Sequence, residues 1–155
     1  MRLLHLYFSL EHNYFGHHGR PAGTAPMLEV PEMTLVAGQG IVGDRFFGYK
    51  ENYKGQVTFF DNRMYQELCD QFGVRDRSAS VFRRNIITEG QDLNALIGKE
   101  FEIQGIRFLG MAECTPCYWM DQAFHPGAEA ALKNQGGLRA RILTDGVLQV
   151  DGMAA

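Results

Sequence analysis

The feature that most limits how this chain can fold is a series of short apolar runs, most of them closed by glycine. They are Leu3 to Ser9, Met27 to Val36, Gln56 to Phe60, Asn85 to Thr88, Phe101 to Ile103, Ile106 to Leu109, Leu138 to Leu143 and Val147 to Val150. Runs of this length bounded by turn residues read as strands. Gln104-Gly105 and Asp145-Gly146 join neighbouring runs in the way hairpins do. No regular strand–helix alternation of the doubly wound kind is present. The expectation is a mainly β fold with a few helices, arranged as a mostly antiparallel β-barrel.

Two helices interrupt the strands. The clearer runs from Asn62 to Phe72: Met64, Tyr65, Leu68 and Phe72 share one face, Asp61 can cap the start and Gly73 can end it. A second is expected from Pro126 to Asn134, opened by proline and followed by the Gly136-Gly137 break. The segment from Glu11 to Pro26 carries His12, His17, His18, three glycines and two prolines, and reads as an irregular loop. With 155 residues and 45% hydrophobic content, the chain can bury one core, so residues 1–155 are expected to form a single domain.

A net charge of −3 without any Lys/Arg run argues against binding along a nucleic-acid backbone. Arginine outnumbers lysine eleven to four, which favours a discrete phosphate or carboxylate partner held by a guanidinium fork. The apolar start is too short to span a bilayer and lacks a signal-peptide cleavage site, so no membrane partner is expected. Three cysteines without an export signal point to reduced thiols and a cytoplasmic setting.

The chemistry concentrates in two segments. Cys114-Thr115-Pro116-Cys117 could be half of a zinc site, a redox dithiol or a chance turn. The one other cysteine, Cys69, lies mid-helix, which weakens the zinc reading, and the βαβ context of a thioredoxin motif is missing. Upstream, Arg83-Arg84 in a strand would point to opposite faces, so one is expected to face inward and to need an anion: Glu89, Asp92 or a bound ligand. Arg139 and Arg141, on one face of a later strand, pose the same question. Asp44-Arg45, after the glycines of Gly38 to Gly43, is either an ion pair in a tight turn or places Arg45 before an anionic ligand. The loop histidines lack a carboxylate or cysteine at ligand spacing, so exposed histidines are the simpler reading. Tyr118-Trp119 packs over a flat ligand or into the core.

Five marks in order give the pattern a name: Gly40-Ile41-Val42-Gly43-Asp44-Arg45, Gln56-Val57-Thr58, Arg83 to Leu93, Cys114-Thr115-Pro116-Cys117, and Gly136-Gly137-Leu138-Arg139-Ala140-Arg141-Ile142-Leu143. Together they resemble the MOSC domain, found at the C-terminus of molybdenum cofactor sulfurases, in amidoxime-reducing proteins and as short standalone bacterial proteins. The resemblance implies a barrel of the pyruvate-kinase-barrel-like type. It also implies molybdenum cofactor as the ligand, Cys117 as the residue that binds the metal or carries sulfur, and Cys114 as an accessory thiol. Arg83, Arg84 and Asn85 are then expected at the cofactor's phosphate or pterin edge, with Arg45, Arg139 and Arg141 as further anion contacts. The implied activity is sulfur or cofactor transfer, or reduction of N-hydroxylated compounds with electrons from a donor protein. The alternative is a metal-free persulfide carrier served by a cysteine desulfurase, and pyridoxal phosphate enters only through such a partner.

Overall fold

The computed structural model describes residues 1–152. In chain order the strands are β1 (Arg2–Phe8), β2 (Leu28–Val30), β3 (Glu32–Val36), β4 (Gly40–Ile41), β5 (Val57–Asp61), β6 (Ile86–Glu89), β7 (Glu100–Ile103), β8 (Ile106–Glu113), β9 (Leu138–Ile142) and β10 (Gly146–Gln149). The helices are α1 (Asn62–Phe72), α2 (Trp119–Ala123) and α3 (Ala128–Ala131). A seven-stranded sheet runs in the order β2-β1-β6-β5-β9-β8-β7, and a three-stranded sheet in the order β10-β3-β4. Every pairing is antiparallel except that of β5 with β6. The fold is thus mainly β. The larger sheet ends on β2 and β7, which do not pair, so it is not closed into a barrel.

Strand alternation divides the interior into two cores. Leu6, Phe59 and Ile86 pack with Met33, Leu35, Ile41 and Leu148 of the smaller sheet. Their chain neighbours Tyr7, Phe60 and Ile87 point the other way and pack with Met64 and Leu68 of α1, Phe124 and Ala128. Phe59 and Phe60 are almost wholly inaccessible, and burial of each side chain contributes about 2–3 kcal/mol. The central strands are therefore covered on both faces, and the site lies where loops leave them.

Helix α1 has the bounds and caps read from the sequence: Arg63 N–H donates to Asp61 Oδ1 at 2.8 Å, and Gly73 takes the left-handed conformation. Gln104 and Gly105, both at positive φ, make the tight hairpin between β7 and β8. The Asp145-Gly146 turn is not a hairpin, because β9 pairs with β5 and β8 whereas β10 crosses to β3. The apolar run from Met27 to Val36 divides at Pro31, where the chain leaves β1 as partner and joins β10. The second helix shrinks to Ala128–Ala131, since Gly127 at φ 97° cannot be part of a helix begun at Pro126.

Candidate functional site

A cavity of about 280 Å³ opens beside the ends of β5 and β9, and it gathers Arg45, Arg83, Arg84, Arg139, Cys114, Cys117 and His12. Residues 12–15 of the long loop line one side, and the Cys114–Met120 segment lines another. Asn85 and Arg141 lie outside it. Asn85 Oδ1 accepts from Thr58 N and Thr58 Oγ1, and its Nδ2 donates to Tyr7 O, so its side chain is committed to joining β1, β5 and β6. Arg141, two residues beyond Arg139, donates to Asn52 Oδ1 at 2.8 Å.

The arginine pair is not in a strand. A single 3₁₀ turn, Ala79–Phe82, is capped by Ser78 and closed by Arg83 in the left-handed conformation at φ 58°. That reversal turns both side chains inward, each only 8% exposed. Neither meets the expected carboxylates: Glu89 pairs with Arg2, and Asp92 caps the turn at Leu93–Leu96. Arg84 instead donates from Nε to Gly136 O at 3.0 Å, from Nη1 to Phe82 O at 2.9 Å and from Nη2 to Cys114 O at 3.1 Å. Arg83 donates from Nη1 to Ala25 O and from Nη2 to Ser9 Oγ and Glu11 O, all at 2.9 Å. Arg45 is ion-paired with Asp44 at 3.0 Å, as one reading of that dipeptide expects, and its side chain also lines the cavity.

Carbonyl oxygens satisfy hydrogen bonds but leave the guanidinium charges uncompensated. Burial, with Arg45 nearby, lowers the Arg83 pKa to about 10. Burial also lowers that of Arg45, against the opposing pull of Asp44. His12, clamped between Phe15 and Phe46 at ring distances of 5.0 and 4.8 Å, is pushed below its ordinary value by burial and then by Arg45. Among the described residues, Asp44 is the one carboxylate ion-paired with any of the four cavity arginines. A buried group of cations with this little compensation favours an anion.

Cys117 is exposed and its carbonyl accepts from Met120 N at 3.0 Å, so its thiol stands just before α2. Cys114 is buried, with its N–H on Gly137 O at 2.8 Å. Gly136, read in the sequence as a break after a helix and as part of a family mark, has a closer task. A Cβ there would lie 2.1 Å from Cys114 O and 2.7 Å from Pro116 Cδ. The cysteine segment thus rests directly on the Gly136 backbone. The donor set, one accessible thiol among arginines, suits a soft metal centre that carries an anionic group.

Sequence reading missed the aromatic lining from Tyr14, Phe46 and Tyr53, and helix α2, whose five residues are too short for a periodic signal. The loop histidines face different neighbours: His17 Nδ1 is 2.9 Å from Pro21 O, and His18 Nδ1 is 3.2 Å from the Tyr118 hydroxyl. Among the described residues no helix is long and apolar enough to cross a membrane.

The fold is similar to that of the YuaD protein from Bacillus subtilis, at 15% identity and a TM-score of 0.74, over 96% of this chain and 91% of that one. It is also similar to YiiM from Escherichia coli, at 17% identity and 0.67 over 97% of this chain and 67% of that one. YiiM from Geobacillus stearothermophilus gives 14% identity and 0.68 over 96% and 70%. At such identities the likeness establishes the fold. No curated protein matches the chain. The MOSC domain family matches residues 17–153, a span that contains the arginine pair, both cavity cysteines and the glycine pair beneath them, and the chain belongs to that family.

Proposed function

We propose that the cavity binds molybdenum cofactor, with the Cys117 thiolate as a ligand of the metal and the arginines holding the anionic part of the pterin. One observation carries this reading: an accessible thiol opens into the same cavity as four arginines, of which Arg83 and Arg84 are buried and without a carboxylate among the described residues. Arg45, Arg84 and Arg139 offer the phosphate contacts, because each retains N–H donors beyond those its protein partners take. When bound, the cofactor supplies two-electron redox or sulfur-transfer chemistry. The chain's own residues orient it, exclude water through Tyr14, Phe46 and Trp119, and present the thiol. Cys114, held by Arg84 and Gly137, is an accessory thiol that fixes the Cys117 segment. The activity is reduction of N-hydroxylated compounds with a donor protein, or transfer of the cofactor with sulfur to an acceptor enzyme.

A second reading has its own support. The exposure of Cys117 suits a metal-free carrier that receives persulfide sulfur from a pyridoxal-phosphate-dependent desulfurase. The deciding measurement is bound molybdenum and pterin per chain, for wild type and Cys117→Ala, after expression in a host that makes the cofactor. Metal and pterin in wild type, with molybdenum lost in the variant, supports the cofactor reading. Absence of both, with persulfide trapped on Cys117, supports the carrier.

A further inference from the structure

Arg83 touches the long loop at both of its ends. Glu11 and Ala25 lie fourteen positions apart in sequence, yet their carbonyls accept from the same guanidinium, and Ser9 Oγ, which itself donates to Glu11 O, takes the remaining Nη2 hydrogen. Between those points the loop is largely self-contained. His17 N bonds Tyr14 O, Arg20 N bonds His17 O, and Gly23 N bonds Asn13 O, all within the loop. Its outward attachments are chiefly aromatic: Tyr14 stacks on Trp119 at 4.8 Å and 25°, His12 and Phe15 meet Phe46 and Tyr49 edge-on, and His18 meets Tyr118 by its ring and by a 3.2 Å hydrogen bond. Such a loop, with its ends drawn together and its bonds internal, moves as a body when its fastening is released. Asn13 Oδ1, on the cavity side, is buried without a partner, so the closed arrangement leaves an acceptor unsatisfied.

We infer that Arg83 is a positioning residue: it latches residues 11–25 as a movable wall of the cavity, and release of that latch opens the cavity beside Cys117. The latch goes beyond the proposed function and holds for either ligand reading, because it depends on the loop and not on the occupant. It also separates the two neighbouring arginines. Arg84 fastens the cysteine segment, and Arg83 fastens the loop.

Trp119 is the single tryptophan of the chain and lies under Tyr14, so its fluorescence reports the wall directly. The experiment is acrylamide quenching of Trp119 in wild type, Arg83→Ala, Arg83→Lys and Ser9→Ala, each checked for a cooperative thermal transition. Ser9 is fully buried and does not line the cavity, so its removal weakens the latch without touching the ligand site. The expected result is a quenching constant raised about 2–3-fold in Arg83→Ala, with a smaller rise in Ser9→Ala and partial rescue in Arg83→Lys. Unchanged quenching in folded Arg83→Ala overturns the latch. If Arg83→Ala fails to fold, Ser9→Ala decides: raised quenching supports the latch, and wild-type quenching makes Arg83 a strut of the fold and overturns it. Neither outcome depends on whether the protein carries metal.

Discussion

The two walls of the cavity are fastened by the same chemistry and backed by different architecture. Arg84 holds the cysteine wall through two hydrogen bonds, with a third to Phe82 O in its own turn, and Arg83 holds the loop wall through three. Behind the cysteine wall stand strands: Cys114 continues β8, Gly136 leads into β9, and the two segments touch with no room for a side chain between them. The loop wall rests instead on ring contacts, Tyr14 stacked on Trp119 and His12 edge-on to Phe46. One wall is therefore part of the core, and the other is an attachment to it. Adjacent, chemically identical residues acquire different roles from what their hydrogen bonds reach.

That contrast can be broken most forcefully at Gly136. Gly136→Ala forces a methyl group into Cys114 O and Pro116 Cδ, and the expected destabilisation is about 3 kcal/mol, seen as a fall in the chemical-denaturation midpoint. A wild-type midpoint would mean that the cysteine wall is as yielding as the loop.

Arg84→Ala comes next. It strands three carbonyls and should cost about 2 kcal/mol of stability, with Arg84→Lys little better because an ammonium cannot span Gly136, Phe82 and Cys114 at once. Arg83→Ala should cost about 1 kcal/mol, since water can reach the loop carbonyls it leaves. Equal losses in the two alanine variants would erase the distinction between the walls.

The smallest effect concerns His12 on the loop wall. Its pKa is lowered in the folded protein, so between that value and 6.5 the unfolded chain binds more protons than the folded one. Stability should therefore rise with pH through that window, and His12→Gln should flatten this part of a thermal-stability profile. An unaltered slope in the variant would place the acid sensitivity elsewhere.

How far the sequence discloses all this follows the range of the interactions. Helix α1 was legible because its cap, apolar face and terminating glycine are local signals. The strands were legible as runs, but their partners were not: Pro31 and Asp145-Gly146 lie where the chain changes sheets, a tertiary event that a turn signal cannot distinguish from a hairpin. At the site, Cys117, Arg45, Arg84 and Arg139, all named from sequence, lie along one cavity. Asn85 lies outside it, and the carboxylates expected to pair with the arginines are engaged elsewhere. The 3₁₀ turn at Ala79–Phe82 removed Arg83 and Arg84 from the strand in which alternation would have applied, and Thr58 claimed the Asn85 side chain. The aromatic side of the cavity had no periodic signature, because it comes from irregular chain.

The bonds that fasten the walls join residues far apart in the chain: 30 positions from Arg84 to Cys114, 52 to Gly136, and 72 from Arg83 to Glu11. Contacts of this separation require the loops between them to be closed at an entropic cost. The cavity is thus assembled from segments that only the tertiary fold brings together. Occupancy and global stability are linked as a result: a ligand at a hundred times its Kd adds about 2.7 kcal/mol to unfolding, so a chain folding where its ligand is scarce lives with a larger unfolded fraction.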